Sequence, residues 1–247
     1  GESVSDKLIA MMALFPSLPE GDVVEIGCWW GMSAVALSML ARDSDTGAVL
    51  CADPWQCELA MQQDSPDILR TLPTYTDWEA VFQGFLIHAA AVATPGKFNY
   101  LRGTSLEAEA MYRKEKKITS PQFGETRYAG KIALIHIDGN HDYDCVNADY
   151  AAWRPHVAPG GWVILDDYVW QHGDGPATKC WTGSMKTSGA ALSRARRCFC
   201  SCRAISATIC HLSPSPAAEE PPLPSPPLGE RVRVRGYVKN ENTQGAR

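Results

Sequence analysis

Short apolar runs alternate along this chain with longer stretches whose apolar residues return every three or four positions. The first kind suits a buried strand, the second a helix with one covered face. The spacing predicts strands over residues 23–26, 48–52, 98–101, 132–137 and 162–165. It predicts helices over 3–14, 33–41, 78–92, 106–116 and 143–153. Residues 58–75 read as irregular and 119–130 as a loop, and Pro159-Gly160-Gly161 reads as a turn before the fifth strand. The strand runs are continuously apolar, which implies that both faces of the sheet are covered. Strands alternating with helices imply parallel pairing. The expected fold is therefore α/β: a Rossmann-like, doubly wound, mostly parallel sheet with helices on both faces.

Ligands in such sheets bind beyond the carboxyl ends of the strands. Here those ends are chemically rich. They carry Glu25 and Gly27, then Asp53, then Gly103-Thr104-Ser105, then Asp138, then Asp166-Asp167. The run "ALIHIDGNHDYD" is the clearest case, an apolar strand that stops at an acid and is followed by amide, imidazole and phenol.

Size and charge narrow the reading further. The 247 residues, 45% of them hydrophobic, suffice for one large domain. A formal charge of −5 provides no basic field for nucleic acid. No apolar run reaches the roughly 18 residues of a membrane span. The first residues lack the basic n-region of a signal peptide. A cytoplasmic protein without nucleic-acid or membrane partners is expected. Of nine cysteines, Cys28, Cys51, Cys57 and Cys145 are scattered without paired spacing and read as reduced thiols. The "CFCSC" stretch lacks the gaps of a zinc site.

"VVEIGCWWGMSA" is a strand, a glycine-containing turn and a helix, in the form E-x-G-x-x-x-G. With Asp53 ending the second strand, it points to nucleoside binding, since an acid there accepts hydrogen bonds from a ribose diol. This stretch resembles the first motif of class I S-adenosylmethionine-dependent methyltransferases. "LCADPW" resembles their ribose-binding acid, "NYLRGTS" their segment near the adenine, and "PGGWVILDDY" their fifth strand. The likeness spans residues 3–175. Within the class, residues 135–170 look most like the metal-assisted O-methyltransferases of the macrocin and catechol types. The resemblance implies S-adenosyl-L-methionine as cofactor. It implies Glu25 and Gly27 along the methionine part, Cys28, Gly31 and Ser33 elsewhere on the cofactor, and Asp53 on the ribose. Trp55 would flank the adenine, with Thr104 or Ser105 at its edge and Asp138 beside the cofactor. Trp29 and its neighbour Trp30 pack either on a ligand or in the core.

Three acids at two neighbouring strand ends repel unless a cation or protons neutralise them. Hard oxygen ligands suit Mg²⁺ or another divalent cation. The resemblance places that ion on Asp138, Asp166 and Asp167. It also places a base three residues after Asp138, where His141 stands. An imidazole titrates near neutral pH and suits proton removal. His172 is the rival base, and His136, inside the strand, reads as structural. The expected partner is a small hydroxylated acceptor, with residues 58–75 and 117–130 as its wall; a homodimer is compatible with this reading.

Residues 1–176 form the expected catalytic domain. From 177 to 247 the pattern changes. The family needs a further helix and two strands, whereas this stretch is rich in Cys, Arg and Pro, and only "RVRVRGYV" alternates like a strand. Residues 213–227 read as disordered or polyproline. A frame shift near Ala177 explains this pattern, and an added partner-binding tail is the alternative. Two other readings of the whole stay open: a hydroxylase using "HID" at 136–138, and a cofactor-binding remnant without activity.

Overall fold

The computed structural model describes residues 5–62, 67–166, 197–200 and 209–210. These all belong to one compact unit, Gly1–Pro214. Strands β1 (Asp22–Ile26), β2 (Val49–Asp53), β3 (Phe98–Arg102), β6 (Ile132–Ile137) and β7 (Val157–Leu165) form the parallel core of the sheet. Their spatial order is β3-β2-β1-β6-β7, so the chain reverses direction across the sheet between β1 and β6. Such a reversal opens a crevice at the carboxyl ends of the two strands.

Alternate strand residues serve two cores. Val23, Cys51, Leu134 and Trp162 face α1 (Ser5–Leu14), α2 (Met32–Asp43) and α5 (Trp78–Ala90), which contribute Met11, Leu37 and Phe85. Val24, Leu50, Ile135 and Val163 face α6 (Ser105–Glu115) and α7 (Tyr143–Trp153), which contribute Tyr112 and Trp153. This explains why the strand runs are apolar throughout: each side chain meets a covering helix whichever way it points.

Three segments differ from the sequence expectation. The described part of the segment expected to be irregular holds short helical turns, α3 (Cys57–Ala60), α4 (Asp67–Thr71) and a 3₁₀ turn at Leu72–Tyr75. The expected loop at 119–130 contains an antiparallel hairpin, β4 (Lys117–Ser120) with β5 (Gly124–Arg127). Its anchor is the buried Asn99 amide, which donates to Ile118 O at 3.0 Å and Gly124 O at 2.8 Å. Buried polar groups need such partners, and nothing in the hairpin's own polar sequence reveals this one. Third, Pro159-Gly160-Gly161 lies inside β7, where the register against β6 shifts.

The sheet also extends past residue 176. Strand β8 (Arg197–Cys200) pairs parallel to β7, and β9 (Ile209–Cys210) pairs antiparallel to β8. "CFCSC" thus begins within a strand that sequence reading did not assign. "RVRVRGYV", the expected strand, lies outside the described residues.

Candidate active site

A cavity of about 500 Å³ opens at the carboxyl ends of β1, β2, β6 and β7. Its chemistry is set by two neighbouring strand ends. On the cofactor-motif side, β1 runs into Gly27, whose φ of +82° favours glycine. A Cβ there would stand 2.1 Å from the Asp138 carbonyl oxygen. The close approach of the chain after β1 to the chain after β6 therefore requires glycine here, at a position that also lines the cavity. Gly31, with φ +87°, starts α2 and leaves no room for a Cβ beside Phe85, at 2.9 Å.

Asp53 ties this turn to β2. One carboxylate oxygen accepts from the backbone N–H of Cys28 at 2.8 Å and of Trp29 at 3.0 Å, the other from Trp55 N–H at 2.7 Å. A carboxylate has about four acceptor positions, so one is left toward the cavity that Asp53 lines. Cys28, Trp29 and Ser33 line the same wall. Burial raises the Cys28 and Cys51 thiols, as expected for inert reduced cysteines.

Gly31 does not line the cavity, and the side chains of two further expected cofactor residues do not reach it. Trp55 is 1% exposed and packs on Phe82 and Phe85, with its indole N–H donated to Trp29 O at 3.0 Å. It is a core residue. Glu25 is 0% exposed; its carboxylate lies between β2 and β6, near Cys51 Sγ at 3.7 Å and His136 Nδ1 at 3.4 Å. Both departures arise because the side-chain direction is set by strand alternation and turn geometry, which a motif match does not resolve. In the acceptor wall, Leu59, Gln62 and Leu72 do line the cavity. The hairpin does not: Phe123 packs on Phe98 and Tyr128 on Tyr112. Trp78, edge-on to Trp29 at 5.1 Å, takes part in its place.

Thr104 and Ser105 open α6 at the cavity rim. Thr104 makes a capping box with Glu107, and Ser105 Oγ accepts from Trp153 Nε1 at 2.9 Å. Beside them is Asp149, which sequence reading missed. It is 9% exposed, lines the cavity, and burial pushes its carboxyl up to about 6. An acid with a raised folded pKa contributes stability below its unfolded pKa and loses it as pH rises through the folded value. Two pKa units correspond to about 2–3 kcal/mol. In Asp149→Asn, urea unfolding should therefore lose much of the stability drop between roughly pH 4 and 7 that the parent shows. Identical pH profiles would remove Asp149 as its source.

The polar centre forms around Asp138 at the end of β6. Asp138 and Asp166 converge as expected from adjacent strand ends, but an ammonium lies between them. Lys7 Nζ, from α1, donates to Asp138 Oδ2 at 3.1 Å and to Asp166 Oδ2 at 2.5 Å, with the lysine side chain 3% exposed. Burial alone would lower Lys7; the two carboxylates outweigh it and push the group up to about 12. Within the acid pair, burial would raise Asp138, but His141, Lys7 and His136 hold it well below the usual range. Burial and the Asp138 charge push Asp166 up.

Two histidines flank the pair. His141 Nε2 is 3.7 Å from Asp138 Oδ1, and its Nδ1 is 3.0 Å from the Gln62 amide. His136, expected to be structural, is fully buried and turned toward the same acid: Nε2 is 3.9 Å from Asp138 Oδ2. Among the described residues this Nε2 has no hydrogen-bond partner. The ligand atoms of His136, Asp138 and Asp166 lie within 4.8 Å of one another. This set holds one histidine and two carboxylates, not the two histidines and one carboxylate of the iron hydroxylase pattern. Asp167 and His172 lie outside the described residues.

A Rossmann-like sheet with a glycine turn, a following acid and a deep cavity at the topological switch defines a class I S-adenosylmethionine-dependent methyltransferase. The family profile described as "Methyltransferase domain" matches residues 24–168. The chain belongs to that family. Among solved structures, the O-methyltransferase NovP matches with 18% identity and a TM-score of 0.50, covering 74% of each chain. The calicheamicin methyltransferase CalS11 matches with 18% identity and a TM-score of 0.48, over 74% of this chain and 72% of that one. No curated protein matches. No helix among the described residues is long and apolar enough to cross a membrane.

Proposed function

We propose that this methyltransferase acts on oxygen, moving the methyl group of S-adenosylmethionine to a hydroxyl of a small molecule or sugar, with a divalent cation assisting. The observation that carries this reading is the pairing of His141 with Asp138, 3.7 Å apart beside the cofactor turn. The sulfonium of the cofactor is already activated, whereas a hydroxyl is a poor nucleophile until its proton leaves. A base is therefore the group such a site must supply. His141 provides it. With the Gln62 amide turned so that its oxygen accepts from Nδ1–H, Nε2 is left to take the proton, and the Asp138 carboxylate 3.7 Å away stabilises the imidazolium that forms. Asp53, with its remaining acceptor position, holds the ribose, and Cys28, Trp29 and Ser33 enclose the rest of the cofactor. Leu59, Leu72 and Trp78 supply an apolar acceptor wall that excludes water. The O-methyltransferase NovP, of like fold, is consistent with this assignment.

The donor set suits a divalent cation. Two carboxylates and a buried imidazole nitrogen without a hydrogen-bond partner among the described residues lie within 4.8 Å of one another. Asp138, Asp166 and His136 would hold the ion, and when bound it would lower the pKa of the acceptor hydroxyl. The test is methyl transfer from labelled cofactor to a panel of hydroxylated acceptors, with and without chelator, alongside calorimetry with S-adenosylhomocysteine. Chelation should abolish turnover and leave S-adenosylhomocysteine affinity within about threefold. Full turnover in chelator would sink the cation's role and leave Lys7 as the sole neutralising charge. Label on nitrogen or carbon acceptors alone would overturn oxygen as the target.

A further inference from the structure

The ammonium of Lys7 and a divalent cation have the same kind of electrostatic task, since each would sit between Asp138 and Asp166, the ammonium offsetting one of their charges and the divalent ion both. They are not able to perform it together. Lys7 Nζ is 3.1 Å and 2.5 Å from the two carboxylates, within the few ångströms that an ion on the same oxygens would need. A divalent charge at such a distance from a buried ammonium is strongly repelled, because the low-dielectric surroundings screen little. One must leave before the other enters.

Lys7 can leave by its side chain alone: a flexible four-carbon stem carries its ammonium, while Met11 further along α1 stays buried. His136, by contrast, is fixed. It is fully buried in β6, and Nδ1 faces Glu25 at 3.4 Å, which aims Nε2 toward Asp138. A carboxylate behind a histidine is the arrangement that orients an imidazole for metal binding.

We propose that Lys7 is the resident counter-cation of the Asp138–Asp166 pair, that a divalent cation binds only by displacing it, and that His136 Nε2 then becomes a third protein ligand. This rests on the reading of Asp138 and Asp166 as cation ligands. A nitrogen donor beside two carboxylates favours Mn²⁺ or Co²⁺ over Mg²⁺, which prefers oxygen. Glu25 is the positioning residue for the imidazole. Lys7 offsets one of the pair's two negative charges in the metal-free protein and hydrogen-bonds both carboxylates, which lessens their repulsion.

Metal-free parent and Lys7→Met proteins, each shown to bind S-adenosylhomocysteine, are titrated with Mn²⁺ while the signal of free Mn²⁺ is followed by electron paramagnetic resonance. Lys7→Met should bind Mn²⁺ at least tenfold more tightly. Equal or weaker binding in Lys7→Met overturns the competition and leaves the cation-assisted reading standing. No Mn²⁺ or Mg²⁺ binding by either protein overturns both. Adding His136→Asn to Lys7→Met should cost about tenfold in Mn²⁺ affinity and shrink the Mn²⁺ preference over Mg²⁺; unchanged affinity removes His136 as a ligand. If Lys7→Met does not fold, the parent still decides. Its hydrogen-bonded Lys7 ammonium should give a slowly exchanging signal in a lysine-selective ¹⁵N spectrum. Saturating Mg²⁺ should abolish that signal, and its persistence in the metal-bound protein overturns displacement.

Discussion

Gly27→Val is expected to be severely damaging, because it strikes the point where the chain leaving β1 packs against the chain leaving β6. The new Cβ would lie 2.1 Å from the Asp138 carbonyl oxygen and 2.6 Å from the Gly139 Cα, both backbone atoms that no rotamer change moves aside. The residue also has a φ of +82°, which a β-branched side chain resists. Left-handed strain of about 1–3 kcal/mol and overpacking of similar size add up to roughly 2–6 kcal/mol. That is a large share of the stability of an ordinary domain. A sharp fall in the urea midpoint is expected, with S-adenosylhomocysteine binding lost as Asp138 and the turn are forced apart. A midpoint within experimental error of the parent would show that this close approach has room that the backbone geometry does not reveal.

His141→Ala is expected to lower turnover by about 10²–10⁴-fold, the range for removal of a general base. S-adenosylhomocysteine affinity should change little if, as proposed, His141 serves the acceptor hydroxyl. Loss in both kcat and kcat/KM, with KM for the cofactor unchanged, is the signature of a contact used in the transition state. A parent-like rate would move the base elsewhere, with His172 the first candidate. Cofactor affinity falling in step with rate would instead make His141 a wall of the binding site.

Much of the catalytic unit was legible in the chain itself. The five core strands and the helices around them follow from local pattern, because burial on both faces demands unbroken apolar runs and burial on one demands a helical period. Asp138 and His141 were legible for the same reason. A polar residue where a buried apolar strand stops must stand at the end of the sheet where the strands finish, and three residues cannot carry the next one far away. The alternation of strand and helix also located the crevice before any coordinate did.

What the sequence left open were partners brought together from distant positions. Lys7 is separated from Asp138 by 131 positions, and it looks like any lysine at the start of an amphipathic helix. Only the packing of α1 against the sheet turns it into the counter-charge of the acid pair. His136 resembles a tolerated polar residue in a strand until Glu25, on the neighbouring strand, fixes which way its ring faces. The hairpin at Lys117–Arg127 depends on the Asn99 amide from β3, and the burial of Trp55 depends on α5 closing over it. Hydrophobic periodicity is a property of neighbours along the chain and therefore specifies the scaffold. Charge neutralisation, hydrogen-bond partners and ring orientation are properties of neighbours in space, and for this protein they decided what the scaffold's strand ends face.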